Sequence, residues 1–320
     1  MSAGVYRPNR RGSEHLRAWL AQDRPLLLDG ATGTELERHG VPTPLPLWSA
    51  AALETHPDLV RQIHLEYLEA GAEILTANTF RTQRRALTRG GWGNRAAELT
   101  RRAVELAREA IAAAARPALV LGSAPTLEDC YCPDRVPEDA ALEHEHREHA
   151  QHLAEAGVDG VWVETMNTIR EARFATQAAA GAGLIPLVSF VCGESANLLS
   201  GEPLAEAAAA ARAAGAAALG VNCLPPRTIP PCLDVLAREP LPIAAYANLG
   251  APCEEQGFVR SDACDPQTFA GFALSWRERG ARLLGGCCGT TPDHIRAIAL
   301  ALGRSPARGA PSQKGAPRTR

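Results

Sequence analysis

The 320-residue sequence is poor in lysine. Lys314, close to the C-terminus, is the only one, so the other residues in the Lys and Arg total of 33 are arginines. Two common kinds of catalysis therefore lack their central residue. A Schiff base requires a lysine amine within the fold, and a Walker-type loop requires a lysine that reaches the phosphates. The folded part of the chain is predicted to use neither.

Long apolar runs and a strong charge of either sign are also absent. No stretch approaches the ~20 apolar residues of a membrane helix. The first residues, MSAGVYRPNRRGSEHLR, contain no apolar run of the kind that a signal peptide needs. The formal net charge of -3 gives no reason to expect nucleic acid as a partner. We predict a cytoplasmic protein that binds neither nucleic acid nor membrane.

Cysteine is more frequent, but its pattern is not that of a disulfide framework. Nine cysteines, an odd number, are spread between positions 130 and 288. In a reducing compartment we expect them to be free, metal-bound or catalytic. The stretch LLGGCCGTTPDHI, residues 283–295, is the most unusual, because two adjacent cysteines stand between paired glycines and a helix start.

Short apolar runs alternate with segments of helical periodicity along the chain. Their hydrophobicity is continuous, which indicates strands buried on both faces, as in a parallel sheet beneath helices. There are eight of these runs, which predict an α/β fold, a single TIM (β/α)8 barrel. They are PLLLDG (25–30), AEILTANTF (72–80), ALVLGSAP (118–125), GVWVETMN (160–167), PLVSFVC (186–192), AALGVNCLPP (217–226), LPIAAYANLG (241–250) and ARLLGGCCG (281–289).

An open, doubly wound sheet is the alternative fold. Such folds often carry a glycine-rich nucleotide fingerprint after the first strand, but that strand here ends in DGATGTELE, which lacks the GxGxxG spacing. We expect the barrel to occupy residues 17–303, after an N-terminal extension of residues 1–16. Residues 304–320 are rich in Pro, Gly, Ser and Arg and predict a disordered tail.

The predicted barrel brings three cysteines to one place, because the C-terminal ends of its strands meet at one mouth. Cys223 ends the sixth strand, and Cys287 and Cys288 end the eighth. Three thiolates with a fourth position open fit zinc in a catalytic site. The alternative is that a cysteine is a small buried apolar residue. We give that interpretation to Cys192, Cys232, Cys253 and Cys264.

Four stretches then resemble one family: GVNC, GGCCGTTPDHI, LDGATGTELE and VETMN are similar to the homocysteine S-methyltransferases, over roughly residues 24–300. The resemblance implies a TIM barrel with one zinc ion (Zn2+), held by three cysteines that correspond to Cys223, Cys287 and Cys288. It implies transfer of a methyl group from a donor to the thiolate of L-homocysteine, which gives L-methionine.

The same resemblance assigns residues to the amino-acid part of homocysteine. Asp29, Gly30 and Glu164 match positions that bind it in the family. A carboxylate suits the substrate ammonium, and backbone N–H groups of the turn after Gly30 suit the substrate carboxylate. Asn78 and Asn222 also end strands, where they either contact substrate or satisfy backbone groups.

The methyl donor is predicted to be a sulfonium, S-methylmethionine or S-adenosylmethionine. Thr165 follows Glu164 where the betaine enzyme of the family has tyrosine, and no folate or cobalamin module follows the barrel. Carboxylates and aromatic faces near the mouth would hold the cation. The candidates are Glu128, Asp129, Tyr131 and Tyr246.

Other interpretations stay open at this point. GGCCGTT is alternatively a phosphate cradle, since barrels often bind phosphate after strands seven and eight. The zinc is alternatively structural. The run EHEHREHAQH is expected on a solvated helix surface rather than at a metal, and Cys130 and Cys132 are expected to pack in the loop after the third strand rather than to form a redox pair or bind a second metal.

Overall fold

The computed structural model describes residues 10–193, 195–253, 257–260 and 264–306. Eight parallel strands form one sheet in the order β1-β10-β7-β6-β5-β4-β3-β2. They are β1 (Leu26–Leu27), β2 (Ile74–Thr76), β3 (Leu119–Ala124), β4 (Gly160–Met166), β5 (Pro186–Phe190), β6 (Ala218–Asn222), β7 (Ile243–Ala247) and β10 (Ala281–Gly286). Each lies within one of the eight predicted runs.

The two ends of this sheet meet and close it into a barrel. Strand β1 pairs with β10 through Leu26 opposite Leu283. On its other side, Leu28 forms a parallel bridge with Ile74 of β2, and the Asp29 N–H donates to the Ile74 carbonyl at 3.1 Å. The TIM-like barrel predicted from the sequence is confirmed, and an open doubly wound sheet is excluded.

Helices surround the barrel and connect its strands. They are α1 (Arg10–Leu20), α2 (Gly33–Arg38), α3 (Ala52–Thr55), α4 (Pro57–Ala70), α5 (Arg84–Arg89), α6 (Ala96–Ala114), α7 (Asp139–Ala156), α8 (Ile169–Gly181), α9 (Leu204–Ala213), α10 (Ile229–Leu236), α11 (Pro266–Glu278) and α12 (Pro292–Ala301). A short hairpin of β8 (Gly250–Cys253) and β9 (Gly257–Arg260) follows β7. None of the helices in the described ranges is long and apolar enough to span a membrane.

Two apolar clusters hold the layers together. The larger lies between the strands and the outer helices, and the smaller fills the barrel interior. Leu16 and Leu20 of α1 join the interior cluster with Trp162 and Leu187, so α1 covers the N-terminal end of the barrel.

Near the C-terminal end of the described residues, Arg304 donates to Glu73 at 2.5 Å. Residues 1–9 and 307–320 lie outside the described part, and the domain boundaries at 17 and 303 remain predictions.

The histidine run lies on α7, and two of its members are not solvated. His146 and His149 are buried, so the expected solvated surface is wrong for both. His146 Nε2 lies 3.1 Å from Glu171 Oε1, and His149 Nε2 lies 3.0 Å from the Ser123 carbonyl oxygen. Burial lowers the pKa of His149 to about 4. None of the four histidines belongs to a group of potential metal ligands within the described residues.

Candidate functional site

Three cysteine sulfurs converge at the C-terminal mouth of the barrel. Cys223 Sγ lies 2.9 Å from Cys287 Sγ and 4.0 Å from Cys288 Sγ. All three sulfurs lie within 4.8 Å of one another. The structure therefore brings together the three cysteines that were expected, from the sequence, at the ends of the sixth and eighth strands.

Strand β7 holds the cysteines in place from between. The Cys223 N–H donates to the Tyr246 carbonyl at 3.2 Å, and the Cys287 N–H donates to the Ala247 carbonyl at 2.7 Å. The Leu249 N–H then donates to the Cys288 carbonyl at 2.7 Å. Cys223 has a φ of 56°, in the left-handed region, which turns its side chain out of the direction of β6.

The chemistry of this donor set fits zinc. Two thiolates on a tetrahedral zinc, each with a Zn–S bond of about 2.3 Å, lie about 3.8 Å apart, and the two sulfur separations given above bracket that value. Contacts with Cys287 and Cys288 hold the pKa of the Cys223 thiol well below its usual value, whereas the contact with Cys223 raises the pKa values of the Cys287 and Cys288 thiols. A thiol that ionises readily is a better metal ligand. The three residues therefore form a potential metal site.

Gly289 shapes the segment that carries the cysteine pair. Its φ of +83° lies in the left-handed region, and a Cβ there would lie 2.3 Å from the Leu249 carbonyl oxygen. Its N–H donates to Thr34 Oγ1 at 2.9 Å, which connects this segment to the start of α2. Glycine is the residue that allows this backbone to pass so close to its neighbour.

Asp29 lies at the end of β1 and is buried. Its carboxyl accepts hydrogen bonds from the Thr76 N–H at 2.7 Å and from Thr76 Oγ1 at 3.2 Å. Burial raises the pKa of Asp29 to about 8, although the bonds from Thr76 oppose the shift. The nearby charge of Glu164 adds to the increase. Burial thus disfavours the ionised form of this carboxyl, and a cationic partner would stabilise that form.

Glu164 lies at the end of β4 and is also buried. Ser123 Oγ donates a short hydrogen bond to one carboxyl oxygen, and the Tyr246 hydroxyl lies 3.3 Å from the other. Burial raises the pKa of Glu164 to about 7. Two buried carboxyls with raised pKa values therefore occupy one mouth, a feature that is enriched at functional sites.

The two asparagines differ in what their amides contact. Asn222 Oδ1 accepts from Ser189 Oγ at 2.8 Å and from the Thr165 N–H at 3.1 Å, but its buried Nδ2 has no partner among the described residues. Asn78 uses both amide atoms on Ser49, at 2.6 and 2.9 Å. Asn222 thus retains a free donor for a ligand, whereas Asn78 also has a clear structural task.

One cavity joins these groups, and all eight site residues named from the sequence line it: Asp29, Gly30, Asn78, Glu164, Asn222, Cys223, Cys287 and Cys288. Other residues that line the cavity were not predicted from the sequence, among them Thr76, Phe80, Arg81 and Trp162. Thr76 carries a usable signal, because it is a polar residue at the end of a predicted strand. Arg81 carries none, because it precedes several other arginines in RTQRRALTR.

The loop after β3 lies against the mouth and corrects one part of the donor hypothesis. Asp129 and Tyr131 line the cavity, and the Tyr131 hydroxyl donates to the Cys223 carbonyl at 3.4 Å. Glu128 does not line it, because its carboxylate is bound by Arg85 at 2.8 Å and by Arg89 at 2.6 Å. Glu128 is therefore a structural ion-pair partner of this loop.

The remaining cysteines are distributed as small packing residues. Cys130 is buried in the loop after β3, as expected for packing, and neither Cys130 nor Cys132 is in a disulfide among the described residues. Cys192 and Cys232 are buried, in agreement with the apolar interpretation, whereas Cys264 is partly exposed. The side chain of Cys253 lies outside the described part of the structure.

Fold and site together define a TIM-like barrel with a potential metal site of three cysteines and two buried carboxyls at its mouth. The sequence model of the homocysteine S-methyltransferase family matches residues 26–302. This match spans most of the chain, so the protein belongs to the homocysteine S-methyltransferase family, a family of methyltransferases that act on small molecules.

Individual relatives agree with this assignment over nearly their whole length. The chain is 35% identical to homocysteine S-methyltransferase 4 of Zea mays, with 86% of this chain and 89% of that protein aligned. It is 34% identical to selenocysteine Se-methyltransferase of Brassica oleracea var. italica, over 85% and 87%. The metallated form of the homocysteine methyltransferase MmuM from Escherichia coli is a structural neighbour, with a TM-score of 0.78, 30% identity, and coverage of 89% and 99%.

Proposed function

We propose that the protein transfers a methyl group from a sulfonium donor to the thiolate of L-homocysteine, in a zinc-dependent reaction that gives L-methionine. The observation that carries the proposal is the convergence of Cys223, Cys287 and Cys288 within 4.8 Å at a cavity that also holds Asp29 and Glu164. The cavity thus combines a potential metal site of three sulfurs with two buried carboxyls.

Cys223, Cys287 and Cys288 would hold the zinc. When bound, zinc stabilises a substrate thiol as its thiolate, which is the nucleophilic form, at neutral pH. Three protein ligands, fewer than the four of a typical structural zinc, would leave room for the substrate sulfur, as in catalytic zinc sites.

Asp29 and Glu164 are suited to bind the homocysteine ammonium. Their pKa values of about 8 and about 7 mean that burial disfavours their charged forms in the free protein. A bound ammonium favours those charged forms, so substrate binding is expected to release protons from this pair. The turn that begins at Gly30 supplies N–H groups for the substrate carboxylate.

Methyl transfer from a sulfonium to a thiolate leaves both sulfurs neutral, so the step needs no proton donor. The bond between the methyl carbon and the donor sulfur breaks, and its electron pair stays on that sulfur, which becomes a neutral thioether. The homocysteine sulfur supplies the electron pair of the new bond. Trp162 and Tyr246, whose ring centroids are 5.2 Å apart, and Tyr131 offer aromatic faces that favour a cationic donor.

Phosphate binding at GGCCGTT receives no support from the geometry. The Gly289 N–H is taken by Thr34 Oγ1, and the Thr290 N–H donates to the Cys287 carbonyl at 3.1 Å. The Thr291 N–H donates to His294 Nδ1 at 3.2 Å. These backbone donors are satisfied within the protein, so they do not form a phosphate cradle.

A donor panel tests the proposal directly. Zinc-loaded protein is incubated with homocysteine and, in turn, S-methylmethionine, S-adenosylmethionine, betaine or methylfolate, and methionine is quantified. Methionine is expected mainly with a sulfonium donor. A parallel reaction with selenocysteine measures the acceptor preference, since relatives include selenocysteine methyltransferases. Turnover with betaine alone would refute the sulfonium assignment, and no methionine with any donor would refute the function.

A further inference from the structure

Arg81 places a guanidinium group at the cavity, and the function proposed above assigns no role to this residue. It follows β2 in the segment before α5 and lines the cavity with Phe80, over whose ring its guanidinium carbon lies at 5.3 Å. Its Nε is buried and has no hydrogen-bond partner among the described residues. A buried N–H of a charged group is costly to leave unpaired, so this donor favours a ligand that supplies an acceptor.

Its neighbours in sequence are paired, which sets Arg81 apart. Arg84 pairs with Glu148 at 2.7 Å, Arg85 with Glu145 at 2.5 Å, and Arg89 with Glu128. Arg81 pairs with no carboxylate within 4.0 Å in the ranges that the structure describes. The protein therefore neutralises three arginines of this segment and leaves the fourth, at the cavity wall, without a counterion.

Arg81 lies near the loop after β3, which also lines the cavity. Burial lowers its pKa, and acidic groups of the loop after β3, among them Asp129 and Glu128, oppose this shift. Arginine keeps its charge in proteins, so the group is a cation in the free enzyme. The carboxyls assigned to homocysteine, by contrast, end β1 and β4.

We propose that Arg81 binds the carboxylate of the methyl donor, so that the donor is an onium carboxylate such as S-methyl-L-methionine. This inference rests on the proposed function and adds the residue that would recognise the donor's carboxylate, a group that both proposed sulfonium donors carry. An Nε–H and an adjacent Nη–H form a planar fork that matches the two oxygens of a carboxylate. The donor's carboxylate would bind at Arg81, and its onium methyl group would face the homocysteine sulfur.

Two other partners for Arg81 are set aside by the contacts. Asp129 lines the same cavity, but its Oδ1 already accepts from the Tyr131 N–H at 2.9 Å and it forms no ion pair with Arg81. The homocysteine carboxylate is the second, and the turn at Gly30 is placed for it beside Asp29. Each of these alternatives gives a different experimental result.

The test compares S-methyl-L-methionine with its carboxamide, which keeps the sulfonium and loses the negative charge. The KM of the wild-type protein should be about 10- to 100-fold lower for the acid than for the carboxamide. In Arg81→Met the KM for the acid should rise by a similar factor, while the KM values for the carboxamide and for homocysteine stay the same. Arg81→Lys should recover part of the effect. Arg84→Met, in the exposed pair with Glu148, is the matched control and should keep the preference.

Calorimetric binding of the acid and the carboxamide to the protein without homocysteine gives a readout that is independent of turnover. Equal losses for both ligands in Arg81→Met would mean a purely structural role, and a raised KM for homocysteine alone would place its carboxylate there instead; both overturn the proposal. Absence of any acid preference in the wild type overturns it even if the variant does not fold. Failure of the proposed function looks different, because no donor then yields methionine.

Discussion

The Sγ atoms of Cys223 and Cys287 lie 2.9 Å apart although 64 positions separate the two residues in the sequence. Their closeness follows from the strand order, in which β6 and β10 both flank β7. Each cysteine donates its backbone N–H to a carbonyl of β7, at Tyr246 and at Ala247. The potential metal site is thus positioned by sheet hydrogen bonds rather than by a flexible loop.

Replacement of Cys223 or Cys288 by serine is expected to remove most of the zinc from the protein. A serine hydroxyl is a poor substitute for a thiolate, which zinc prefers. Elemental analysis of protein purified without added metal should give one zinc per chain for the wild type. The matched control is Cys264→Ser, a partly exposed thiol outside the cluster, which should keep its zinc. Full zinc content in both cluster variants would contradict the assignment.

The strand ends were the part of the site that the sequence could predict. Continuous apolar runs marked every barrel strand, and closure of the barrel then forced Asp29, Glu164 and Cys223 to one mouth. This works because a parallel barrel fixes which end of each strand meets the others, whatever the connecting helices do.

Side-chain pairing lay beyond the sequence, since it depends on distances between loops. Glu128 was predicted to hold a cation, but Arg85 and Arg89 bind it. The burial of His146 and His149, by contrast, has a signal in the sequence. They share a helix face with Leu142 and Leu153, at a spacing typical of an inward-facing stripe, and all four are buried.

Substitution of Glu164 by glutamine should raise the KM for homocysteine and leave the zinc in place. Loss of a charge-assisted bond to the substrate ammonium costs about 1.5–3 kcal/mol, or about ten- to a hundredfold. Steady-state kinetics with homocysteine varied, together with metal analysis, measure both quantities. Glu73→Gln is the control, because Glu73 pairs with Arg24 and Arg304 at the opposite end of the barrel. Unchanged kinetics in Glu164→Gln would remove this residue from the site.

Gly289→Ala is expected to destabilise the protein more than Gly91→Ala, although both glycines have a positive φ, of +83° and +79°. The left-handed conformation costs an alanine about 1–2 kcal/mol at either position. Only at Gly289 does the new Cβ meet another group, the Leu249 carbonyl oxygen at 2.3 Å, whereas Gly91 has open space. Denaturant unfolding should show a larger loss for Gly289→Ala, by about 1–3 kcal/mol. The zinc content should fall as well, because Cys288 must move; equal losses in the two variants would refute the steric argument.

The stability of the metal-free protein should depend on pH through Asp29. Burial raises the pKa of this carboxyl to about 8 in the folded protein, whereas in an unfolded chain it is about 3.9. Between these values the folded state keeps a proton that the unfolded state has released. The free energy of unfolding therefore falls as the pH rises through this window, by up to about 1.4 kcal/mol per pH unit.

Asp29→Asn removes that titration and keeps an oxygen that accepts from the Thr76 N–H. The stability of the variant relative to the wild type should therefore increase from pH 5 to pH 8, since only the wild type must keep a buried carboxyl protonated or pay for its charge. Urea unfolding of both metal-free proteins at pH 5, 6.5 and 8, as roughly spaced points across the window between the two pKa values, measures the difference. Parallel stability profiles would mean that Asp29 titrates alike in both states, and that burial at the end of β1 does not favour its neutral form.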